Sequence, residues 1–179
     1  MTPLLRSNRW VFALTVALAL LAGQRADISA QGGTPAEVRA LLEGTFELVE
    51  WHLDGQVLRP PDVGGRWSNH DGVVVAIYHR SGLKGFESFT GYGTYKMDAA
   101  TWSYGYERVE IANGPLVEQA KVTVRPAAPA NTFKISREGG KVILERPNDR
   151  REYDATSFTF MPNGRTLRKY RRVTAGAKP

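Results

Sequence analysis

Two residues of one strand-like segment have the chemistry of an acid–base pair. Residues 45–53 form an alternating run that predicts a β-strand, in which residues two apart share a face. One face carries Phe46, Leu48, Glu50 and His52. If this face points into a protein interior, the low dielectric raises the pKa of the Glu50 carboxyl, and His52 beside it can hold the proton. Glu50 and His52 are therefore the candidate catalytic residues if the protein is an enzyme.

The same segment allows a second arrangement. A bulge or bend near Val49 would return Glu50 and His52 to solvent and turn Trp51 inward. Both arrangements are compatible with the sequence, and they predict different interiors: one equipped with an acid and a base, the other apolar.

The three histidines give weaker grounds for a metal site. His52, His70 and His79 could meet at the mouth of a barrel and bind a metal or haem. No two of them stand at the sequence spacing of a metal-binding pair, and the chain has no Cys. We therefore predict solvated or packed histidines, with no metal and no cofactor.

Aromatic residues are densest between positions 86 and 106. Rings at alternating positions on two neighbouring strands could line a ligand cavity, with tyrosine hydroxyls orienting the ligand. The same rings could instead fill a core by cross-strand packing. On the first interpretation, the predicted ligand-binding residues are Phe46, Leu48, Glu50, Val75, Ile77, Phe89, Tyr92, Tyr95, Trp102, Tyr104 and Tyr106.

The last quarter of the chain concentrates positive charge. Its basic residues include Arg146, Arg150, Arg151, Arg165, Arg168, Lys169, Arg171 and Arg172. They could steer an anionic ligand toward the protein, but interleaved acidic residues favour a solvated, ion-paired face. The formal net charge is +6, and without a nucleic-acid-binding motif we predict no nucleic-acid partner. Hydrolase signatures such as Gly-x-Ser-x-Gly are also absent from the sequence.

The elements that would position these residues follow from capping and turn signals. Thr34, Pro35 and Glu37 form a capping pattern, which predicts a short helix ending at Gly44. Beyond Gly44, runs of β-branched and aromatic residues are separated by turn dipeptides such as Asp54-Gly55. We therefore predict an all-β fold, an antiparallel up-and-down β-barrel of about 8–10 strands whose last strand pairs with the first.

The N-terminus has the pattern of a secretory signal peptide. Arg6 and Arg9 precede an uncharged apolar run at residues 10–22, which is too short to span a membrane. Residues 1–30 are therefore the predicted signal peptide, cut after Ala30. Because a lipid anchor at the cleavage site needs a Cys, we predict a secreted or periplasmic protein with no stable membrane anchor after cleavage.

The mature chain is predicted to form one domain. Residues 31–37 are interpreted as a flexible leader, residues 38–173 as the barrel and residues 174–179 as a tail. The full chain of 179 residues, of which 42% are hydrophobic, has the composition of an ordinary globular domain.

Segments of the predicted barrel resemble bacterial lipocalin-like domains, which are small β-barrels of the calycin type. Residues 44–51 (GTFELVEW) are similar to the first strand of that family, and residues 64–72 to its second hairpin. Residues 89–98 (FTGYGTYKMD) and 163–173 resemble an inner segment and the closing hairpin. The family's Trp in the first segment is Phe46 here.

The resemblance implies a barrel with an apolar interior, often with a hydrophobic ligand. In the family a Trp commonly closes the barrel floor under a C-terminal Arg. In this chain Arg171 or Arg172 could stack over Phe46 instead, by a cation–π contact of about 0.5 to 1 kcal/mol.

We therefore expect an exported lipocalin-like protein that binds a small, largely hydrophobic molecule inside the barrel, and we favour a binding protein over an enzyme. One alternative is a small-barrel enzyme, of isomerase, cyclase or dehydratase type, that uses Glu50 with a His or Tyr as acid and base. The other is a secreted protein-interaction module whose outer surface binds a partner.

Overall fold

The computed structural model describes residues 34–82 and 84–174. The predicted signal peptide, residues 31–33 of the predicted leader and all but the first residue of the predicted tail lie outside the described residues. Within these ranges, one short α-helix precedes twelve β-strands that belong to one sheet.

Helix α1, Pro35–Leu42, begins at the predicted capping pattern. The backbone N–H of Glu37 donates to Thr34 Oγ1 (3.3 Å), and the N–H of Thr34 donates to the Glu37 carboxylate (2.9 Å). This capping box starts the helix inside the segment interpreted as a flexible leader. Val38 and Leu42 are buried in the main apolar core, so α1 packs on the barrel.

The strands follow the predicted rhythm of short antiparallel neighbours. They are β1 Gly44–Leu53, β2 Gln56–Leu58, β3 Val63–His70, β4 Val73–Arg80, β5 Phe86–Met97, β6 Thr101–Gly114, β7 Lys121–Pro126, β8 Asn131–Glu138, β9 Lys141–Arg146, β10 Asp149–Tyr153, β11 Ser157–Pro162 and β12 Arg168–Arg172. Ten of them, all but β2 and β7, form a ring in chain order, and β12 pairs back with β1. The predicted antiparallel β-barrel with a short N-terminal helix is confirmed.

The two strands outside the ring lengthen it locally. β2 pairs with the last three residues of β1. Residues Thr101–Tyr104 of β6 pair with β8, whereas Arg108–Asn113 pair with β7. Tyr106 therefore lies just beyond the point where β6 leaves β8.

A bulge in β1 determines which of its residues face inward. Leu48 lies opposite Tyr170 of β12 and Trp51 lies opposite Arg168, so Val49 is an extra residue on the β1 side. Because of that extra residue, Leu48 and Trp51 face the same side although they are three apart. Leu48, Trp51 and Tyr170 are all buried.

Stacked aromatic rings fill part of the interior. The ring of Phe158 stacks on Tyr170 (4.2 Å between centroids) and on Tyr153 (4.7 Å), and Phe46 meets it edge-on at 5.2 Å. Such stacked and edge-to-face pairs are the favoured geometries of aromatic contacts. This part of the barrel is a packed core.

Candidate functional site

The rest of the interior contains a cavity. Its volume is about 220 Å³, which is small beside the roughly 300–1,000 Å³ of typical ligand pockets. It is lined by Trp67, Tyr78, Phe89, Tyr104, Tyr106, Arg146, Asp149, Arg151, Phe158, Phe160, Arg168 and Tyr170. The lining thus combines eight aromatic rings, three arginines and one carboxylate.

Tyr78 and Phe89 form a stacked pair of rings in the wall of this cavity. They are opposite each other on β4 and β5, and their rings stack at 4.9 Å with an angle of 6°. Tyr106 meets Phe89 at 5.5 Å in an edge-on contact. A Cβ at Gly91 would lie 2.9 Å from Phe89 Cε1 and 3.0 Å from the Tyr106 ring. The glycine therefore makes room for two of the cavity's rings.

Arg168 lies among aromatic rings at the cavity. Its guanidinium carbon is 4.1 Å from the ring centroid of Tyr78, 4.8 Å from Trp51 and 5.0 Å from Phe160. Its Nε is buried and has no hydrogen-bond partner among the described residues. The side chain as a whole is only partly buried. Arg168 is thus held by cation–π contacts and by hydrogen bonds with the hydroxyls of Tyr78 and Tyr170.

Arg151 occupies a more enclosed position. Its Nη2 donates to the Tyr104 hydroxyl (2.8 Å) and to Asp149 Oδ2 (3.3 Å). Its guanidinium carbon also lies 4.7 Å from the Phe133 ring and 5.0 Å from the Trp67 ring. Burial by itself would lower the pKa of Arg151, but neighbouring groups, including Tyr104 and Asp149, outweigh it and raise the pKa. Arg151 is therefore a protonated, carboxylate-paired arginine.

The cavity lining carries excess positive charge. Asp149 pairs with two arginines. One is Arg151, and the other is Arg146, whose Nε lies 3.5 Å from Asp149 Oδ2. Burial raises the pKa of Tyr106 and of Tyr170, so both hydroxyls are neutral at pH 7. Three guanidinium groups therefore face a single negative charge.

The structure places Glu50, which the sequence analysis included among the ligand-binding residues, and His52 outside the cavity. The bulge at Val49 places Glu50 beside Lys169, on the side opposite Arg168, and neither residue lines the cavity. Glu50 Oε2 is 2.9 Å from His52 Nε2 and 3.1 Å from Lys169 Nζ. The bulged arrangement, which the sequence left open, is the one adopted.

Glu50 is also ionised at its outer position. Arg59 Nη2 donates to its other carboxylate oxygen at 2.9 Å. The hydrogen bonds from His52 and Lys169, and then that from Arg59, lower the pKa of Glu50 to about 2. A carboxylate with such a low pKa is a poor proton acceptor at neutral pH.

Three further predicted ligand-binding residues point outward. In β4, Val74, Ala76 and Tyr78 face the interior, so Val75 and Ile77 lie on the outer face. Tyr92 lies opposite Val75 in the register, and its exposed fraction of 48% matches an outer position. Strand alternation is the physical reason for all three corrections, because the interior residues are their immediate neighbours.

The remaining predicted residues are inside, but only some of them line the cavity. Phe89, Tyr104 and Tyr106 are in its wall. The others are buried in the packed core and do not line it: Phe46, Leu48, Tyr95 and Trp102. The Tyr95 hydroxyl donates to Glu43, and burial together with this bond raises the pKa of Tyr95 to about 12.

The two arginines predicted for the barrel floor, Arg171 and Arg172, lie on opposite faces of β12. The Arg172 guanidinium carbon lies 4.5 Å from the Phe46 ring centroid. The same group donates to the carbonyl oxygens of Glu43 (2.6 Å) and Leu41 (2.5 Å), at the end of α1. Arg171 points outward and does not contact Phe46, since it pairs with Glu47.

The described residues contain no cluster of three or more His, Asp or Glu side chains that could hold a metal. His52 lies beside Glu50, and His70 lies on the surface, with Nδ1 at 3.5 Å from Asp71. His79 lies over Gly64, where an added Cβ would be 2.8 Å from its ring. The structure therefore does not gather the three histidines.

The cavity contains residues that the sequence analysis did not select. These are Trp67, Tyr78, Arg146, Asp149, Arg151, Phe158, Phe160, Arg168 and Tyr170. One available signal was the alternation of β12, which puts Arg168 and Arg172 on the same face as the apolar-bodied Tyr170. A charged residue that shares a face with a core residue faces the interior.

Together these features define a closed, ten-stranded antiparallel β-barrel with a small, cationic, aromatic-lined cavity. Comparisons with protein-family models, with curated proteins and with solved structures each gave no match. No helix of the described residues is long and apolar enough to cross a membrane. The fold class is therefore established by the architecture itself.

Proposed function

We propose that this chain is an exported, lipocalin-like protein that binds a small, largely apolar molecule inside its barrel. The observation that carries the proposal is the cavity of about 220 Å³ with its aromatic lining. Concave sites with mostly apolar walls and a few convergent polar groups are the usual form of small-molecule sites. Fold alone would not support this function, because barrels of one architecture serve many functions.

The wall geometry supports a flat ligand. Tyr78 and Phe89 present stacked rings, and the edge-on ring of Tyr106 closes one side. A planar ring can contact the rings of this lining face-on or edge-on at favourable distances. A bulky branched molecule would not fit the small volume. The Glu50 and His52 pair lies outside the cavity, so an enzyme that used these two residues on a bound molecule has no support in the geometry.

A titration with two planar probes, cinnamate and cinnamamide, tests the proposal. Isothermal titration calorimetry or ligand-observed NMR would measure their affinity for the mature protein. We expect at least one probe to bind with a stoichiometry of about one. Organic extraction of protein purified from its native host should also release a co-purifying aromatic molecule.

A matched pair of variants locates the binding. Tyr106→Trp enlarges a side chain inside the cavity, whereas Tyr92→Trp makes the same change on the outer face. We expect Tyr106→Trp to weaken probe binding at least about tenfold, because it occupies ligand volume. Tyr92→Trp should leave the affinity unchanged. Absence of binding by both probes, or equal effects of the two variants, would overturn the proposal.

Export has its own test. The chain with its own N-terminus would be expressed in a bacterium, and the mass of the protein in the periplasm or medium would be measured. We expect a mature form that begins at Gln31, and Ala30→Trp should block its appearance because the cleavage site needs a small residue. Retention of the full-length chain in the cytoplasm would contradict export.

A further inference from the structure

We propose that the molecule bound in the cavity is a compact aromatic carboxylate whose anionic group pairs with Arg168. This inference rests on the proposed function and specifies its ligand class. Two of the interior arginines, Arg151 and Arg168, differ in whether they have an acidic partner.

Arg151 already has a carboxylate and Arg168 does not. Arg151 pairs with Asp149, which is also the nearest acid to Arg146. Among residues 34–82 and 84–174, no carboxylate forms an ion pair with Arg168, and its buried Nε lacks any hydrogen-bond partner. An arginine cannot escape this situation by losing its proton, because it stays charged in proteins.

The surroundings of Arg168 leave an anion as the missing partner. Three rings, those of Tyr78, Trp51 and Phe160, lie within 5.0 Å of its guanidinium carbon. Rings stabilise a cation by about 0.5–2 kcal/mol each without accepting from its N–H donors. The hydroxyls of Tyr78 and Tyr170 hydrogen-bond to the guanidinium, but Nε still has no partner among the described residues. A bound carboxylate would accept those donors in the bidentate geometry that guanidinium groups favour.

Two tyrosine hydroxyls accept from the same guanidinium and keep their own O–H groups as donors. Tyr78 and Tyr170 line the cavity with Arg168. Burial alone would lower the pKa of Arg168, and these two tyrosines are the neighbours that raise it. Because burial also keeps Tyr170 protonated, its hydroxyl can donate to an anion at neutral pH.

Size and wall shape restrict the rest of the ligand. The cavity of about 220 Å³ leaves room for a molecule of one or two rings, and long acyl chains would exceed it. The lining beside Arg168 is aromatic, since Tyr78, Phe160 and Tyr170 line the cavity with it. A compact aromatic body with one carboxylate matches both this lining and the positive charge that has no carboxylate partner among the described residues.

Cinnamate and cinnamamide separate charge from shape, because they differ only in the group that meets Arg168. For the wild-type protein we expect cinnamate to bind about 10- to 100-fold more tightly than cinnamamide, as for a hydrogen-bonded charged group. Arg168→Gln should abolish this preference by weakening cinnamate, while the affinity for cinnamamide changes less than about threefold. Arg171→Gln, on the outer face of the same strand, is the matched control and should keep the preference.

A second variant guards against a folding defect. Arg168→Lys keeps the positive charge, so it should retain a preference for cinnamate that is smaller than in the wild type. Equal affinity of the wild-type protein for the two probes would overturn the anion inference and leave the proposed function intact. If Arg168→Gln still bound cinnamate more tightly than cinnamamide, the carboxylate would pair with another residue, and the assignment to Arg168 would be wrong. Failure of both probes to bind would overturn the proposed function itself.

Discussion

Arginines lie on both the outer and the inner faces of β10 and β12, and the two faces stabilise them by different contacts. On the outer face, Arg150 Nη2 donates to Glu138 at 2.7 Å, and Arg171 Nη2 donates to Glu47 at 3.0 Å. The acidic partner of Arg171 is on the neighbouring strand β1, and that of Arg150 is on β8, two strands away from β10. The outer basic residues thus form the solvated, ion-paired face that the sequence predicts.

The inner arginines of the same strands are held differently. Arg151 has one shared carboxylate, Arg168 has three aromatic rings, and Arg172 has the Phe46 ring and helix carbonyls. Arg150 precedes Arg151 and Arg171 precedes Arg172 in the sequence. The two arginines of each pair differ in which face of the strand they occupy. The alternation of side chains along a strand, and not the local density of charge, therefore determines which arginines form ion pairs on the surface and which lie in the cationic interior.

The largest expected effect comes from Asp149, the one carboxylate that residues 34–82 and 84–174 contribute to the cavity lining. Asp149→Asn leaves Arg151 buried without its counter-charge, which typically costs about 3–5 kcal/mol of unfolding free energy. Urea denaturation of the mature protein would measure the loss. The double variant with Arg151→Met should recover much of it, because it removes the unpaired charge as well. A loss below about 1 kcal/mol would show that Asp149 does not stabilise Arg151.

A smaller effect is expected at Arg172. Arg172→Gln removes a charged donor to the Leu41 and Glu43 carbonyl oxygens and the contact with the Phe46 ring. Hydrogen bonds that involve charged groups contribute about 1.5–3 kcal/mol, and we expect a loss of unfolding free energy in this range. Amide hydrogen exchange should also increase in α1, since its last carbonyls lose their partner. Unchanged exchange in α1 would argue against the capping role.

The fold could be predicted because its turns have strong local signals. Asp54-Gly55 and Asp71-Gly72 have positive φ at both residues, as hairpin turns of this kind require. The Thr34 and Glu37 capping pattern likewise depends only on neighbouring residues. Local signals of this kind are visible in the sequence alone, so the strand rhythm and the short helix follow from it.

The site could be predicted only in part, because it depends on which face of each strand turns inward. Val74 and Ala76 of β4 are buried, yet the intervening Val75 is equally apolar, so alternation there does not distinguish the faces. In β1 the bulge at Val49 reverses the parity of Glu50, and no residue type in that segment specifies a bulge. Both features are set by pairing across strands, which a single sequence does not display.

The outer face also has a pH-dependent member, Glu50. Its pKa is lowered to about 2 by its partners, so its contribution to stability is fully present above the ordinary pKa of 4.5. That contribution is lost as the pH falls from about 4.5 toward about 2, because protonation removes the interactions with His52 and Lys169. We expect Glu50→Gln to be less stable than wild type at pH 7 and the difference to shrink in acid. A difference that stays constant down to pH 2 would contradict the shifted pKa.

The smallest effect is expected at the exposed pair of Arg171 and Glu47. The side chains are 69% and 44% exposed, so water and salt screen their attraction. Arg171→Gln should change the unfolding free energy by less than about 0.5 kcal/mol, and the change should vanish at high salt. This outcome, set against the much larger loss for Arg172→Gln one residue away, tests the comparison directly. If both substitutions cost the same, the parity of β12 does not determine what its arginines do, and the separation of the two faces fails with it.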